Sequence, residues 1–491
     1  MTRLVVVGDA LLDIDWAGSV NRVTPDAPVP VVEAPADDRR PGGAGLAAVL
    51  AAARGASVTL VTALGTDDEG CELRDRLDAT GVSVVDLRLA GPTPQKLRIR
   101  AAGQSLVRVD RGCDPVVPPG WWTEAADEAL GSADAVLVAD YGRGLAERAL
   151  PAVRALAGRP SEVPVVWDPH RAGPQPPPGL AAVTPNAAEA AGALSEPVPA
   201  TVTELADTAE RLATAWASPV VVTDGARGAL IAAPPAPAAF VPATPVPGDP
   251  CGAGDCFSAA LAVALGRGRD LHDAAVAAVA AATRFVGSAS TDAGAGRGEV
   301  PRLTPAGPTT DGDIPGPDAR ELAAEVRAGG GTVVAAGGCF DLLHPGHLRT
   351  LEAARRLGDC LIVCLNGDGS VRRLKGPGRP VNPAHDRARL LLGLSCVNAV
   401  TVFDEDTPVA ALETIRPQVF VKGGDYAGME IAEADALATW GGRVVVLPLV
   451  AGRSTTRMID RCRFRHDPQQ DSDEAESVST SVAGRPGRRP A

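Results

Sequence analysis

Short runs of Val and Leu alternate with Ala-rich stretches along most of this 491-residue chain, and that alternation limits its possible folds more than any other feature. Clear strand candidates are Leu4–Val7, Val58–Val61, Ala135–Val138, Val163–Trp167 and Pro219–Thr223. Each is followed by Gly, Asp or Pro and then by helical periodicity. An unbroken apolar run this short suits a strand buried on both faces, as in a parallel sheet between two layers of helices. The pattern therefore predicts an α/β architecture.

Two stretches break the pattern. Residues 14–35 and 93–110 read as β-hairpin material, with polar and apolar residues alternating in KLRIRAAGQSLVRVD. They predict a small sheet projecting from the main one. Around 300–317 the sequence PRLTPAGPTTDGDIPGPD has no periodicity and is rich in Pro, Gly and Thr, which marks a linker. A helix over Ala319–Arg327 follows, and the strand Thr332–Ala336 opens a second α/β unit running to about Arg463. The polar segment beyond residue 466 has too little apolar surface to order itself. The expected division is 1–303, a linker with connecting helix at 304–330, 331–463, and a disordered tail at 464–491.

Charge and composition exclude several classes of function. A net charge of −13 argues against a nucleic-acid binder, which needs a basic face. The 9 cysteines are scattered without a CxxC pair, as expected of reduced thiols in a cytoplasm. Cys360 and Cys364 lie in the run CLIVCL and read as buried strand residues. The chain enters directly on an apolar strand and contains no uninterrupted apolar segment of about 18 residues. The expectation is a cytoplasmic protein with neither membrane nor nucleic acid as partner.

The first chemical constellation is Gly-Ala-Gly-Asp at 252–255, ahead of a helix from about Cys256 to Leu265. Small residues at a helix start leave backbone N–H groups free to face an anion, and the helix dipole favours negative charge there. Asp255, at the mouth of such a cradle, can take a proton from an attacking hydroxyl. An ordinary helix N-cap remains the competing reading of these four residues.

Residues 1–300 resemble the ribokinase-like (PfkB) sugar kinases. The resemblance rests on GDALLD at 8–13, PGGAG at 41–45, NAAE at 186–189, VTDGARG at 222–228 and GAGDCF at 252–257, in the family's order. It implies that Asp255 is the catalytic base and that the amides of Cys251, Gly252, Ala253 and Gly254 form an anion hole. It implies that Asn186, Ala187, Ala188 and Glu189 lie near the triphosphate, with Glu189 an indirect Mg²⁺ contact. Thr223, Asp224 and Gly225 would border the nucleotide, while Asp13, Gly42 and Gly43 would border the sugar. The hairpin regions would form a lid that often makes a dimer contact, which implies a homodimer. Arg98 and Arg108 suit a substrate already bearing phosphate, since guanidinium pairs with phosphate bidentately; exposed strand charge is the alternative. Departures from the family pattern are Leu46, where the Gly-Gly motif usually carries Asn, and Cys251 for Thr. His170 stands in place of Lys and Trp16 in place of Tyr. Leu46 removes an expected sugar hydrogen bond.

The second constellation is CFDLLHPGH at 339–347, between the strand TVVAAGG and the helical LRTLEAARRLG. His344 and His347 at a helix start can donate hydrogen bonds to phosphate oxygens and stabilise a departing pyrophosphate. Zinc ligation competes, but no third ligand of the usual pattern is nearby; plain helix capping is a further alternative. The segment 331–463 resembles the HxGH nucleotidyltransferases, a Rossmann-like fold. The resemblance implies nucleotide contacts from Cys339, Phe340, Asp341, Lys375, Lys422 and Ser454, Thr455 and Thr456. Asp341 also reads as a turn former.

In detail the first half resembles the kinase half of bacterial bifunctional heptose-phosphate enzymes, through TPDAPVPVVE at 24–33, RPGGAG at 40–45, KLRI at 96–99, LVRVD at 106–110 and ADYGRG at 139–144. The second half resembles their adenylyltransferase half, through LGDCLIVCLNGD at 357–368, RRLKGPGRPVNP at 372–383, KGGDY at 422–426 and GRSTTRMIDR at 452–461. The resemblance implies ATP as substrate of both halves, Mg²⁺, and a sugar phosphate passed from a C1 kinase to an adenylyltransferase. A related synthase with another sugar or nucleotide stays open, as does a transferase carrying a degraded kinase.

Overall fold

A computed structural model describes residues 1–24, 29–34, 36–101, 104–113, 122–157, 163–288, 316–424 and 431–448. The linker expected around 300–317, apart from its last two residues, and the tail lie outside them. Strands β1 (Arg3–Gly8), β2 (Ala10–Val23), β3 (Pro30–Glu33), β4 (Asp37–Gly43), β5 (Ser57–Thr62), β6 (Ser83–Asp86), β7 (Gln95–Ala101) and β8 (Gln104–Arg111) come first. They are followed by β9 (Ala135–Ala139), β10 (Val165–Asp168), β11 (Ala182–Val183), β12 (Val220–Thr223), β13 (Gly228–Ala232) and β14 (Ala239–Pro242). The second unit contributes β15 (Val333–Gly338), β16 (Cys360–Asn366), β17 (Ala399–Phe403), β18 (Val419–Gly423) and β19 (Arg443–Leu447).

In the first half, β6-β5-β1-β9-β10-β11-β12 is parallel. Leu4 and Val6 enter one apolar cluster, Val5 and Val7 the other. β1 is thus buried on both faces, as its unbroken apolar run requires. All five expected strands are present to within two residues. The parallel pattern does not extend to the end of this half, because β12, β13 and β14 are antiparallel. A hairpin needs only a short turn, and the 3₁₀ turn Gly225–Arg227 supplies it.

The two hairpin-like stretches form a separate five-stranded sheet, β3-β2-β7-β8 with β4 on β2. Its pairing differs from two plain hairpins: β2 and β7 run parallel, from Leu12↔Gln95 to Gly18↔Ala101. β2 leaves the floor directly after β1, so the sheet is rooted at the carboxyl end of the central strand.

The second half has strand order β17-β16-β15-β18-β19, all parallel. This doubly wound order reverses direction between β15 and β18, the place where such sheets bind ligands. Cys360 and Cys364 are buried on β16, as expected. The two sheets meet edge to edge where β14 runs parallel to β19, at Ala239↔Val446. Among the described residues no helix is long and apolar enough to cross a membrane.

Two candidate phosphate-transfer sites

Both constellations lie at carboxyl ends of parallel strands. In the first half the strand order reverses between β1 and β9. There Gly8 approaches so closely that an added Cβ would lie 2.0 Å from the Ala139 carbonyl oxygen. Beyond these strands sit Asp9, Asp140 and Tyr141, with Asp168 closing β10 and Thr223 closing β12.

The helix carrying the GAGD motif spans Ala253–Gly266, so it begins earlier than the periodicity suggested and places Asp255 within its first turn. Gly252 is its N-cap at φ +87°, a left-handed conformation that a side chain disfavours. A Cβ there would also meet Leu46 Cδ2 at 2.8 Å. Leu46 thus packs against the cradle itself. Of the four amides expected to form the anion hole, two are engaged within the loop: Cys251 N–H donates to Asp249 Oδ1 (3.0 Å) and Ala253 N–H to the Pro250 carbonyl (2.9 Å). Gly252 and Gly254 supply the other two of the expected amides, at the N-cap and in the first turn of the helix.

Asp255 is pushed up to about 7, chiefly by desolvation, with Asp13 adding to the rise and the Tyr141 hydroxyl and Lys96 opposing it. The Tyr141 hydroxyl donates to Asp255 Oδ1, and Lys96 Nζ lies 5.4 Å from the centre of the Tyr141 ring. Asp168 is held well above the usual carboxylate range by burial, and then by Asp255 and Glu189. It accepts from Thr184 Oγ1 and Ser258 Oγ, both at 3.0 Å. The fold therefore gathers Asp255, Asp168, Glu189 and Tyr141 from four separate segments.

Asn186 and Glu189 form a full capping box on the helix Ala187–Leu194. Asn186 Oδ1 accepts from the Ala188 and Glu189 amides, and Glu189 Oε2 accepts from the Asn186 amide. Burial raises the Glu189 carboxyl. Asn186 bridges to Thr223, which brings NAAE beside the nucleotide segment. Asp224 pairs with Arg227 at 2.7 Å, and Gly225 takes φ +53° at the start of the hairpin turn.

At the lid, Asp13 is 5% exposed and paired with Arg98 at 2.7 Å. Gly42 has no room for a side chain, since a Cβ would lie 2.6 Å from Asp13 Oδ2; Gly43 takes φ +62°. Arg98 thus neutralises the expected sugar ligand, whereas Arg108 is mostly exposed and pairs with Asp110. Arg100 reaches from the lid to Asp249 (2.5 Å), beside the GAGD loop.

In the second half β15 ends in the turn Cys339–Leu343, with Phe340 at φ +45°, and His344 caps the helix Pro345–Arg355. His344 Nδ1 accepts the His347 amide (3.3 Å). With Nδ1 accepting, Nε2 carries the ring proton. The two imidazoles stack 3.8 Å apart, and Phe340 meets His347 edge-on at 5.3 Å. Desolvation, then His344, lowers His347 to about 4, so at neutral pH it is an uncharged hydrogen-bonding group.

Asp341 is 3% exposed. It accepts from the amides of Val381 (2.7 Å) and Asn382 (3.1 Å) and pairs with Arg379 (2.6 Å). Its position shapes the site by tying the turn to the segment 379–382. Lys375 is exposed at the end of the helix Asp368–Lys375, near enough to Cys339 to favour its thiolate against burial. Lys422, at the end of β18 across the switch point, pairs with Glu433 (2.8 Å). Ser454, Thr455 and Thr456 lie outside the described residues.

Sequence reasoning missed Asp168, Tyr141, Lys96 and Arg387 as parts of these sites. Arg387 has no exposed surface. It donates to the carbonyls of Cys339 (2.6 Å), Asn366 (2.8 Å) and Asn382 (2.9 Å) and to Asp368 (2.7 Å). Tyr141 and Lys96 stand in the quoted stretches ADYGRG and KLRI, and Asp168 lies two residues before His170; Arg387 carried no local signal.

Comparison with known proteins agrees with this two-part layout. Residues 1–295 match the model of the pfkB family carbohydrate kinases, and residues 335–459 the cytidylyltransferase-like model. The chain is 50% identical to the bifunctional protein HldE of Streptomyces coelicolor, over 94% of this chain and 96% of that protein. It is 38% identical to HldE of Halorhodospira halophila, over 94% and 98% respectively, and 37% identical to HldE of Azorhizobium caulinodans, over the same shares. With such identity along nearly its whole length, the chain belongs to the HldE family of bifunctional proteins, a pfkB carbohydrate kinase joined to a cytidylyltransferase-like domain.

Proposed function

We propose that the chain phosphorylates heptose 7-phosphate at the C1 hydroxyl with ATP, giving heptose 1,7-bisphosphate and ADP, and that, once a separate phosphatase has hydrolysed the 7-phosphate to inorganic phosphate, it joins the resulting heptose 1-phosphate to AMP from a second ATP. The products are ADP-heptose and pyrophosphate. We assign the first reaction to residues 1–303 and the second to 331–463. Family membership and the matched stretches support that assignment. The single observation that carries the reading is Asp255. It is a carboxylate raised to about 7 at the mouth of a helix N-terminus, poised to take a proton near neutral pH.

In the kinase, Asp255 accepts the C1 hydroxyl proton as that oxygen attacks the γ-phosphorus of ATP and ADP leaves. The amides of Gly252 and Gly254 and the helix dipole stabilise charge on the transferring group. Asp13 orients the sugar. The acidic cluster of Asp168 and Glu189 fits a magnesium carried by the triphosphate, with Glu189 acting indirectly. Among the described residues no set of three side chains forms a cage for the ion. The ion supplies neutralisation of phosphate charge.

In the transferase, the sugar 1-phosphate oxygen attacks the α-phosphorus of ATP and the bond to pyrophosphate breaks. His344 Nε2–H and the neighbouring His347 hydrogen-bond the phosphate oxygens. Lys375, Lys422 and the hydroxyls of Ser454, Thr455 and Thr456 complete the anion site. We assign the protein to the cytoplasm, where ATP is available, and a homodimer contact to the lid.

The test is a turnover panel of sugar phosphates and nucleoside triphosphates, followed by ³¹P NMR. The proposal requires an anomeric phosphate from heptose 7-phosphate and a preference for ATP over CTP in the second reaction. Turnover of another sugar, or a preference for CTP, overturns the substrate assignment.

A further inference from the structure

The kinase base has a neighbour whose geometry is unusual for a packing residue. Tyr141 follows β9 at the point where the strand order reverses. Its ring packs against the apolar cluster beneath the helix Ala253–Gly266. Its hydroxyl donates to Asp255 Oδ1.

The turn that presents Tyr141 is tied down on both sides. Asp140 N–H donates to the Asp168 carbonyl (3.0 Å), and Gly142 N–H donates to Asp140 Oδ1 (2.8 Å). The amide of Arg143 donates to Asp9 Oδ2 (3.3 Å). Gly142 takes φ +70°, and a Cβ there would lie 2.4 Å from His170 Nδ1. These bonds hold the backbone that carries the phenol, and Lys96 Nζ lies over its ring.

We propose that Tyr141 is a positioning residue for the kinase base: it occupies Oδ1 of Asp255, leaves Oδ2 to receive the sugar proton, and stabilises the carboxylate form. The inference rests on Asp255 being the base of the proposed kinase. A neutral donor bonded to one oxygen of a carboxylate favours its ionised form. The groups facing Asp255 are Tyr141, Lys96, Asp13 and Asp168. Lys96 supports the ionised form and Asp13 opposes it, while Asp168 is itself held above the carboxylate range, in part by Asp255. Tyr141 itself is held well above the usual phenol range by burial and then by Asp255, so it stays a donor through the working pH range.

The test compares the pH dependence of kinase kcat/KM for the full-length wild type and Tyr141→Phe. The measurement uses whichever sugar phosphate of the panel the wild type phosphorylates. Failure on heptose 7-phosphate thus overturns the substrate reading and leaves this comparison intact. Losing a hydrogen bond to a charged group should move the acid limb to higher pH by about one unit. At the alkaline plateau the KM for the sugar should be nearly unchanged. Adenylyl transfer by the same protein serves as the control for folding. If Tyr141→Phe does not fold, fluorotyrosine placed at 141 makes the phenol a stronger donor, and the limb should then move to lower pH. A limb that superimposes on the wild-type profile, in whichever variant folds, overturns the proposal.

Discussion

At the residue scale the two sites use opposite electrostatic devices. Asp255 is raised to about 7, so kinase kcat/KM should fall about tenfold per unit as pH drops below 7, in a plain pH–rate profile. Its folded value lies above the ordinary 3.8, so the stability it contributes at low pH is lost as pH rises from about 4 through 7. Asp255→Asn should therefore lower kinase turnover by about 10²–10⁴-fold and raise the melting temperature at pH 8. That gain should vanish near pH 4. His347 is instead kept neutral, and His344 has two tasks, capping the helix through Nδ1 and presenting Nε2–H. His344→Asn keeps a capping oxygen and removes the ring. It should lower adenylyl transfer about 10²–10³-fold with little change in stability. His344→Ala should cost about 1 kcal/mol more in thermal or urea unfolding.

At the scale of elements, the strands were legible because an apolar run buried on both faces admits few other readings. The motif residues were legible because Gly-rich turns and paired histidines punctuate that pattern. Antiparallel β13 and β14 were not, since a short buried apolar run looks the same in either direction. Arg387 was also invisible: an Arg in a helical stretch reads as surface charge, and only the fold shows it bonded to three carbonyls and Asp368. Those bonds join the Cys339 turn, the end of β16 and the segment after Pro380. Arg387→Leu would leave these groups without a partner in the interior. It should cost about 3–5 kcal/mol in the transferase half and abolish adenylyl transfer, while kinase turnover persists. Differential scanning calorimetry with the two assays checks this.

At the scale of the whole molecule, the two halves share one run of strands through β14 and β19. Arg356, just after the helix Pro345–Arg355, donates to the Ala243 carbonyl (2.6 Å), just beyond β14. Arg443 pairs with Asp207 and with Glu210 of the helix Val202–Trp216. No periodicity in the sequence could show an edge joined by so few contacts. The order of the two activities, by contrast, was legible in the order of the two motif sets and their family resemblance, and the matched families run in that order. The most direct test of that order is mass spectrometry of the products formed by full-length protein from ATP, Mg²⁺ and heptose 7-phosphate, with a 7-phosphatase present. The account predicts ADP-heptose from the wild type, and at least about 100-fold slower formation by Asp255→Asn unless heptose 1-phosphate is supplied in place of heptose 7-phosphate. ADP-heptose formed equally well by Asp255→Asn from heptose 7-phosphate, or no ADP-heptose from the wild type, would contradict it.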